Sequence, residues 1–134
     1  MAHAWYHSED LLTSGLCELV FALVVVGFIL MSSGFGVRIE CDWQRMHTAQ
    51  LAFVIHALIQ ISLGYVLPAW MWYYRGTWFK IIFIILSWLT PLRHFVEALS
   101  DKMRESKVSE QFFLFAFLVH SIQYVWLLVK YLND

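Results

Sequence analysis

Long uncharged stretches alternate with short charged ones along this chain, and the alternation repeats four times. Residues 19–37 (LVFALVVVGFILMSSGFGV) are uncharged throughout. They extend backward through SEDLLTSGLCE, where Ser8, Glu9 and Asp10 form the acidic start of a helix. The second stretch, 48–74, closes on WMWYY and the Arg75-Gly76 pair. There Trp70, Trp72, Tyr73 and Tyr74 predict an interfacial belt. The third begins at Thr77, placed to cap a helix, and continues through WFKIIFIILSWLTPLRHFVEAL, with Lys80 able to reach back to the surface. After the hydrophilic connector SDKMRESKVSE comes the fourth, 111–132, with Lys130 and Tyr131 at its far end. A helix needs about 20 apolar residues to cross a hydrocarbon core and satisfies all its backbone groups internally. The pattern therefore predicts an all-α integral membrane protein. It has four transmembrane helices, about 9–37, 48–74, 77–99 and 111–132, in an antiparallel up-down arrangement forming a single domain over 1–134, with no soluble domain.

Composition agrees. Of 134 residues, 60% are hydrophobic and only 14% charged, with a mean hydropathy of +0.64, outside the range of ordinary soluble domains. A net charge of -1 with scattered basic residues gives no footprint for nucleic acid and no polybasic anchor. Cys17 and Cys41 are separated by about 36 Å if the segment between them is helical, too far for a disulfide. The start of the chain has neither the basic region of a secretory signal nor the arginines of an organellar presequence, and the one asparagine, Asn133, forms no glycosylation sequon. Arg38, Arg45, Arg93, Lys102, Arg104 and Lys107 fall on one predicted face, against Arg75, Lys80 and Lys130 on the other. The positive-inside bias then puts both termini on the translocated side, in a mitochondrial inner membrane or another energy-transducing membrane.

Polar residues inside the apolar runs carry the candidate chemistry. At the helical rise, His56 lies about 12 Å and His120 about 14 Å from the same predicted face, with His94 about 9 Å from it. Each belongs to a small or polar stripe: Ala52, His56, Gln60, Gly64 and Pro68; Ser87, Thr90, His94 and Glu97; Ala116, His120, Gln123 and Tyr124. Such stripes face protein, not lipid. Pro91 leaves the Ser87 carbonyl without its helical donor. Glu18 is expected just inside one membrane face, solvated or paired to a helix. Two readings of His56 and His120 follow: axial ligands of a haem b held between two helices, or hydrogen-bonded contacts between helices.

The segment HALIQISLGYVLP, with His56, the Tyr65-Val66 pair and Pro68, resembles the haem-ligand helix of the small membrane-anchor subunits of succinate dehydrogenase. It differs from that helix in spacing by about one turn and carries Gly64 where the family has aspartate. The four predicted spans exceed the family's three, so no functional residue is carried over.

A second constellation is RHFVEALSDKMRE. Arg93 and Glu97, four apart, can neutralise each other. Alternatively, Arg93, His94 and Glu97 form an edge site for a lipid or quinone headgroup, or the centre of a small lipid enzyme, with His94 titrating. No metal array, activated nucleophile or phosphate loop is present in the sequence. With 18% aromatic residues suited to broad contact with lipids and neighbouring subunits, the expected function is an accessory transmembrane subunit of a multisubunit, respiratory-type complex. Such a subunit carries no catalysis of its own and requires no cofactor. The alternative is a cytochrome b-like anchor for haem or quinone.

Overall fold

The computed structural model describes residues 9–36, 38, 40–68, 72 and 78–133. Among these the chain is all helical: α1 (Glu9–Ser33), α2 (Trp43–Val66), α3 (Trp78–Leu99), a short α4 (Asp101–Glu105) and α5 (Lys107–Asn133). The four long helices are each long and apolar enough to cross a membrane.

Local chemistry sets their ends. Glu9 and Asp10 open α1, where acidic side chains complement the positive end of the helix dipole. The predicted continuation to residue 37 stops early. Gly34 N–H closes on the Leu30 carbonyl at 2.7 Å, and Gly36 takes φ 69°, a conformation that costs residues with a Cβ. Helix α2 starts before the expected Thr48, because Asp42 caps it by accepting from Gln44 N–H at 3.1 Å and Arg45 N–H at 3.3 Å. It ends at Val66, since Leu67 is extended ahead of Pro68, as a residue before proline prefers.

Helix α3 runs through Pro91 without a break. The hydrophilic connector is itself helical, capped by the Ser100 hydroxyl on Met103 N–H, and Ser106 does the same for Ser109 N–H at the start of α5. Thr77 and the belt residues Trp70, Tyr73 and Tyr74 lie outside the described residues. Trp72 is not at an interface but fully buried, its ring 5.0 Å from Phe83 and 6.2 Å from Phe79. Lys80 is nearly buried and reaches Asp10 at 2.6 Å.

Helix α2 packs on both α1 and α3, and α5 packs mainly on α3. Two apolar clusters result. One gathers Leu11, Leu67, Trp72, Phe83 and Leu127; the other gathers Ala22, Val25, Met46, Phe53 and Ala98. Phe21 joins the second through rings 5.2 Å from Phe53 and 5.8 Å from Trp88. The outer surface is as apolar as the interior, with Leu23 69% and Ile122 68% exposed. In water such a surface is an interaction surface or a liability; against lipid it is the solvated face.

Gly15 sets the α1–α2 distance. A Cβ there would lie 2.6 Å from Ile61 Cγ1 and 2.9 Å from the Ala57 carbonyl oxygen, whereas one at Gly27 meets nothing within 4 Å. Gly15→Leu is therefore expected to destabilise the chain by about 1–3 kcal/mol through overpacking, with Gly27→Ala close to neutral. Thermal unfolding of the two variants in detergent checks the contrast.

Candidate functional site

Between the two apolar clusters lies a layer of polar side chains, and every long helix contributes to it. On α1, α2 and α3 the order is apolar, polar, apolar, and on α5 polar residues precede one cluster residue. On α1, Glu18 falls between Leu11 and Ala22; on α2, His56 and Gln60 fall between Phe53 and Leu67; on α3, Ser87 follows Phe83; on α5, His120, Gln123 and Tyr124 precede Leu127.

Glu18 is fully buried, as is Gln60, and the Gln60 amide donates to the Glu18 carboxyl. Of the two expected states, solvated or paired to a helix, Glu18 takes the second, paired to α2. Because α1 starts at Glu9, Glu18 sits about 14 Å along it, deep enough to meet α2 near Gly15. Glu18 Oε2 and Gln60 Oε1 are buried without a partner among the described residues. A carboxylic acid and a primary amide can close a ring of two hydrogen bonds, N–H to one oxygen and O–H to the amide oxygen. These two leftover atoms are the ones that the second bond would join.

The histidines are brought together as their depths predict, but only two of the three. The His56 and His120 rings lie 6.1 Å apart with planes inclined at 36°. His120 Nδ1–H donates to Gln123 Oε1 at 3.3 Å, and its Nε2 faces the Ser87 hydroxyl at 3.5 Å. Gln123 in turn donates to the Phe79 carbonyl at 3.2 Å. Phe83 and Tyr124 pack on the His120 ring, each 4.7 Å away. His56 Nδ1 and the Tyr124 hydroxyl are buried without partners among the described residues.

His94 belongs instead to a cluster at the α3 C-terminal end. Glu97, with its side chain 4% exposed, accepts from Arg93 Nε at 3.0 Å, the pair that the spacing predicts, and also from Arg45 Nη1 at 2.6 Å. Arg104 donates to the Glu97 backbone carbonyl at 2.6 Å. Asp42 N–H binds the Ala98 carbonyl at 2.8 Å, so the start of α2 is tied to the end of α3. Sequence reasoning had no route to Arg45, which is 52 residues from Glu97. Nearby, burial and the charge of Asp42 hold the Cys41 thiol above its ordinary pKa against the opposing pull of Arg104. Cys41 and Cys17 are both free. Among the described residues, no three His, Cys, Asp or Glu side chains are placed to hold a metal ion.

Comparison with family models, curated proteins and solved structures finds no match to this chain.

The Glu18–Gln60 pair makes a directional prediction. Glu18→Gln preserves two amides that can still bond each other and is expected to be near neutral. Glu18→Leu leaves the buried Gln60 amide unpaired, at about 1–3 kcal/mol. The double replacement Glu18→Leu with Gln60→Leu is expected to cost less than the sum of the single ones. Denaturation of the four proteins in micelles measures the coupling.

Proposed function

We propose that this chain is a four-span membrane subunit that packs within a larger energy-transducing, respiratory-type complex and carries no catalysis of its own. One observation carries the reading: polarity is inverted, with a hydrogen-bonding layer sealed between apolar clusters and an outer surface of exposed Leu, Ile, Val and Phe. That distribution suits hydrocarbon outside and interhelical bonds inside. Antiparallel passage is supported by the order of contacts. Gly15 approaches Ala57 and Ile61, while the later Ala22 and Val25 share a cluster with the earlier Met46 and Phe53. Ionisable groups at such depth mark pathways for protons, ions or cofactors in membrane proteins, which favours an energy-transducing setting. The Lys and Arg bias favours termini on the translocated side.

The narrow hold on α5 favours partners. It buries only Ala116, His120, Gln123 and Leu127, and leaves Phe112, Phe115, Phe117 and Ile122 more than half exposed. Lipids and neighbouring helices are the natural cover for so broad an aromatic face. The Glu97 carboxylate already holds two guanidinium groups, which suits a structural tie better than a catalytic base.

Gentle detergent extraction followed by native electrophoresis tests the proposal. The chain is expected to migrate in an assembly several times its own 15.8 kDa; migration as a free monomer would sink it.

A second reading is favoured by the histidine pair. Two imidazoles bound to one metal from opposite sides, with bonds of about 2 Å, have ring centres about 6 Å apart, and His56 and His120 stand at 6.1 Å. Gln123 orients His120 through Nδ1, as a partner behind an axial ligand does. Against it, Phe83 and Tyr124 lie on His120 where a macrocycle needs room. A reduced-minus-oxidised spectrum decides. On the packing reading no haem bands appear, and His56→Leu is expected to change stability by less than about 1 kcal/mol, since the buried His56 Nδ1 has no hydrogen bond to lose among the described residues. On the haem reading the bands appear and are lost in both His56→Leu and His120→Leu, but not in Gln60→Leu.

A further inference from the structure

Beside the charge cluster, a groove of about 250 Å³ opens between α3 and α5, lined by Thr90, Arg93, Glu110, Phe113, Leu114 and Phe117. It has a charged end and an apolar end. Arg93 uses Nε on Glu97 and lays its guanidinium 5.1 Å over the Phe113 ring, which fixes it along the groove wall. A guanidinium has five N–H donors, so donors remain after the Glu97 bond. Glu110 lines the same groove from the first turn of α5 and makes no ion pair among the described residues, with Arg93 or any other cation. Phe117, seven residues further along α5, lies about 10 Å deeper.

From this arrangement we propose that the groove binds a bilayer phospholipid with a primary-amine headgroup. The phosphate lies on Arg93, the ammonium on Glu110, and an acyl chain along Leu114 and Phe117. The inference rests on the membrane setting proposed above, but not on assembly into a complex.

Charge complementarity selects the occupant. A cation and an anion that share a groove without pairing match a zwitterion whose two charges are separated by a short arm. An anionic lipid gains from Arg93 but is repelled by Glu110. A choline headgroup carries both charges but has no N–H to donate to the Glu110 carboxylate. It is held best by an aromatic cage, and the Phe113 face is taken by Arg93. A primary ammonium supplies three donors and forms the charge-assisted bonds that are the strong ones.

Native mass spectrometry tests this on the full chain, or on the complex with which it purifies, after delipidation and titration with phosphatidylethanolamine, phosphatidylcholine and phosphatidylglycerol in mixed micelles. The unaltered protein is expected to retain phosphatidylethanolamine several-fold better than the other two. Glu110→Gln, an exposed change that leaves the helix contacts intact, is expected to bring phosphatidylethanolamine down to the phosphatidylcholine level. Glu110→Lys is expected to make phosphatidylglycerol the preferred lipid. Equal retention of all three lipids by the unaltered protein would overturn the proposal, as would a preference for phosphatidylethanolamine that survives Glu110→Gln. Native electrophoresis reports separately on assembly, so the failure of one proposal does not imitate the failure of the other.

Discussion

Polar side chains sealed between apolar clusters must find their partners among themselves, and the arrangement of this protein follows from that requirement. Glu18 reaches α2, where Gly15 lets the backbones close. His120 reaches α3 through Ser87 and through the Gln123 bond to Phe79. In the membrane setting proposed above, apolar packing alone would leave helix rotation loosely fixed, because lipid tails are as apolar as leucine. Hydrogen bonds that cannot be exchanged for water fix it, since turning any of these helices away would bury an unpaired polar group.

At the ends the same rule applies to charge. Lys80 meets Asp10 where α1 and α3 approach, and Arg45 and Arg93 converge on Glu97 where α2 and α3 do. These ties differ from surface ion pairs, which contribute little. Glu97 and Lys80 are nearly buried, so each anchors a side chain that would be costly to leave alone. Directional bonds thus tie the start of α1 to the start of α3 and the start of α2 to the end of α3, and others join the helices in the middle, with nondirectional apolar clusters between.

The sequence carried the four apolar helices and the stripes on three of them, because period and length are local properties. It carried the His56 and His120 pairing as well, since equal depth on two helices entering from one predicted face is arithmetic on the helical rise. Helix ends were less legible. Asp42 caps α2 six residues before the expected Thr48, and α1 stops at Ser33 because Gly34 and Gly36 turn the chain. The partner of Glu18 was not legible, because Gln60 lies 42 residues away on another helix. The Arg45 contribution to Glu97 and the burial of Trp72 are long-range facts with no local signal.

His94 shows where arithmetic on depth stops. Its position along α3 is close to that of the other two histidines, yet it stands with Arg93 and the Glu97 cluster, and the pair forms without it. Depth fixes one coordinate, and rotation about the helix axis fixes another. Ser87 points to His120 and Arg93 points to Phe113, both on α5. Six residues along a helix turn through about 600°, which leaves them about 120°, a third of a turn, apart, so a long side chain is needed for both to reach one neighbour. Arg93 has that reach. The short Ser87 instead requires close approach, and the bonds from His120 and Gln123 to α3 accompany it where α5 is otherwise held by a narrow stripe.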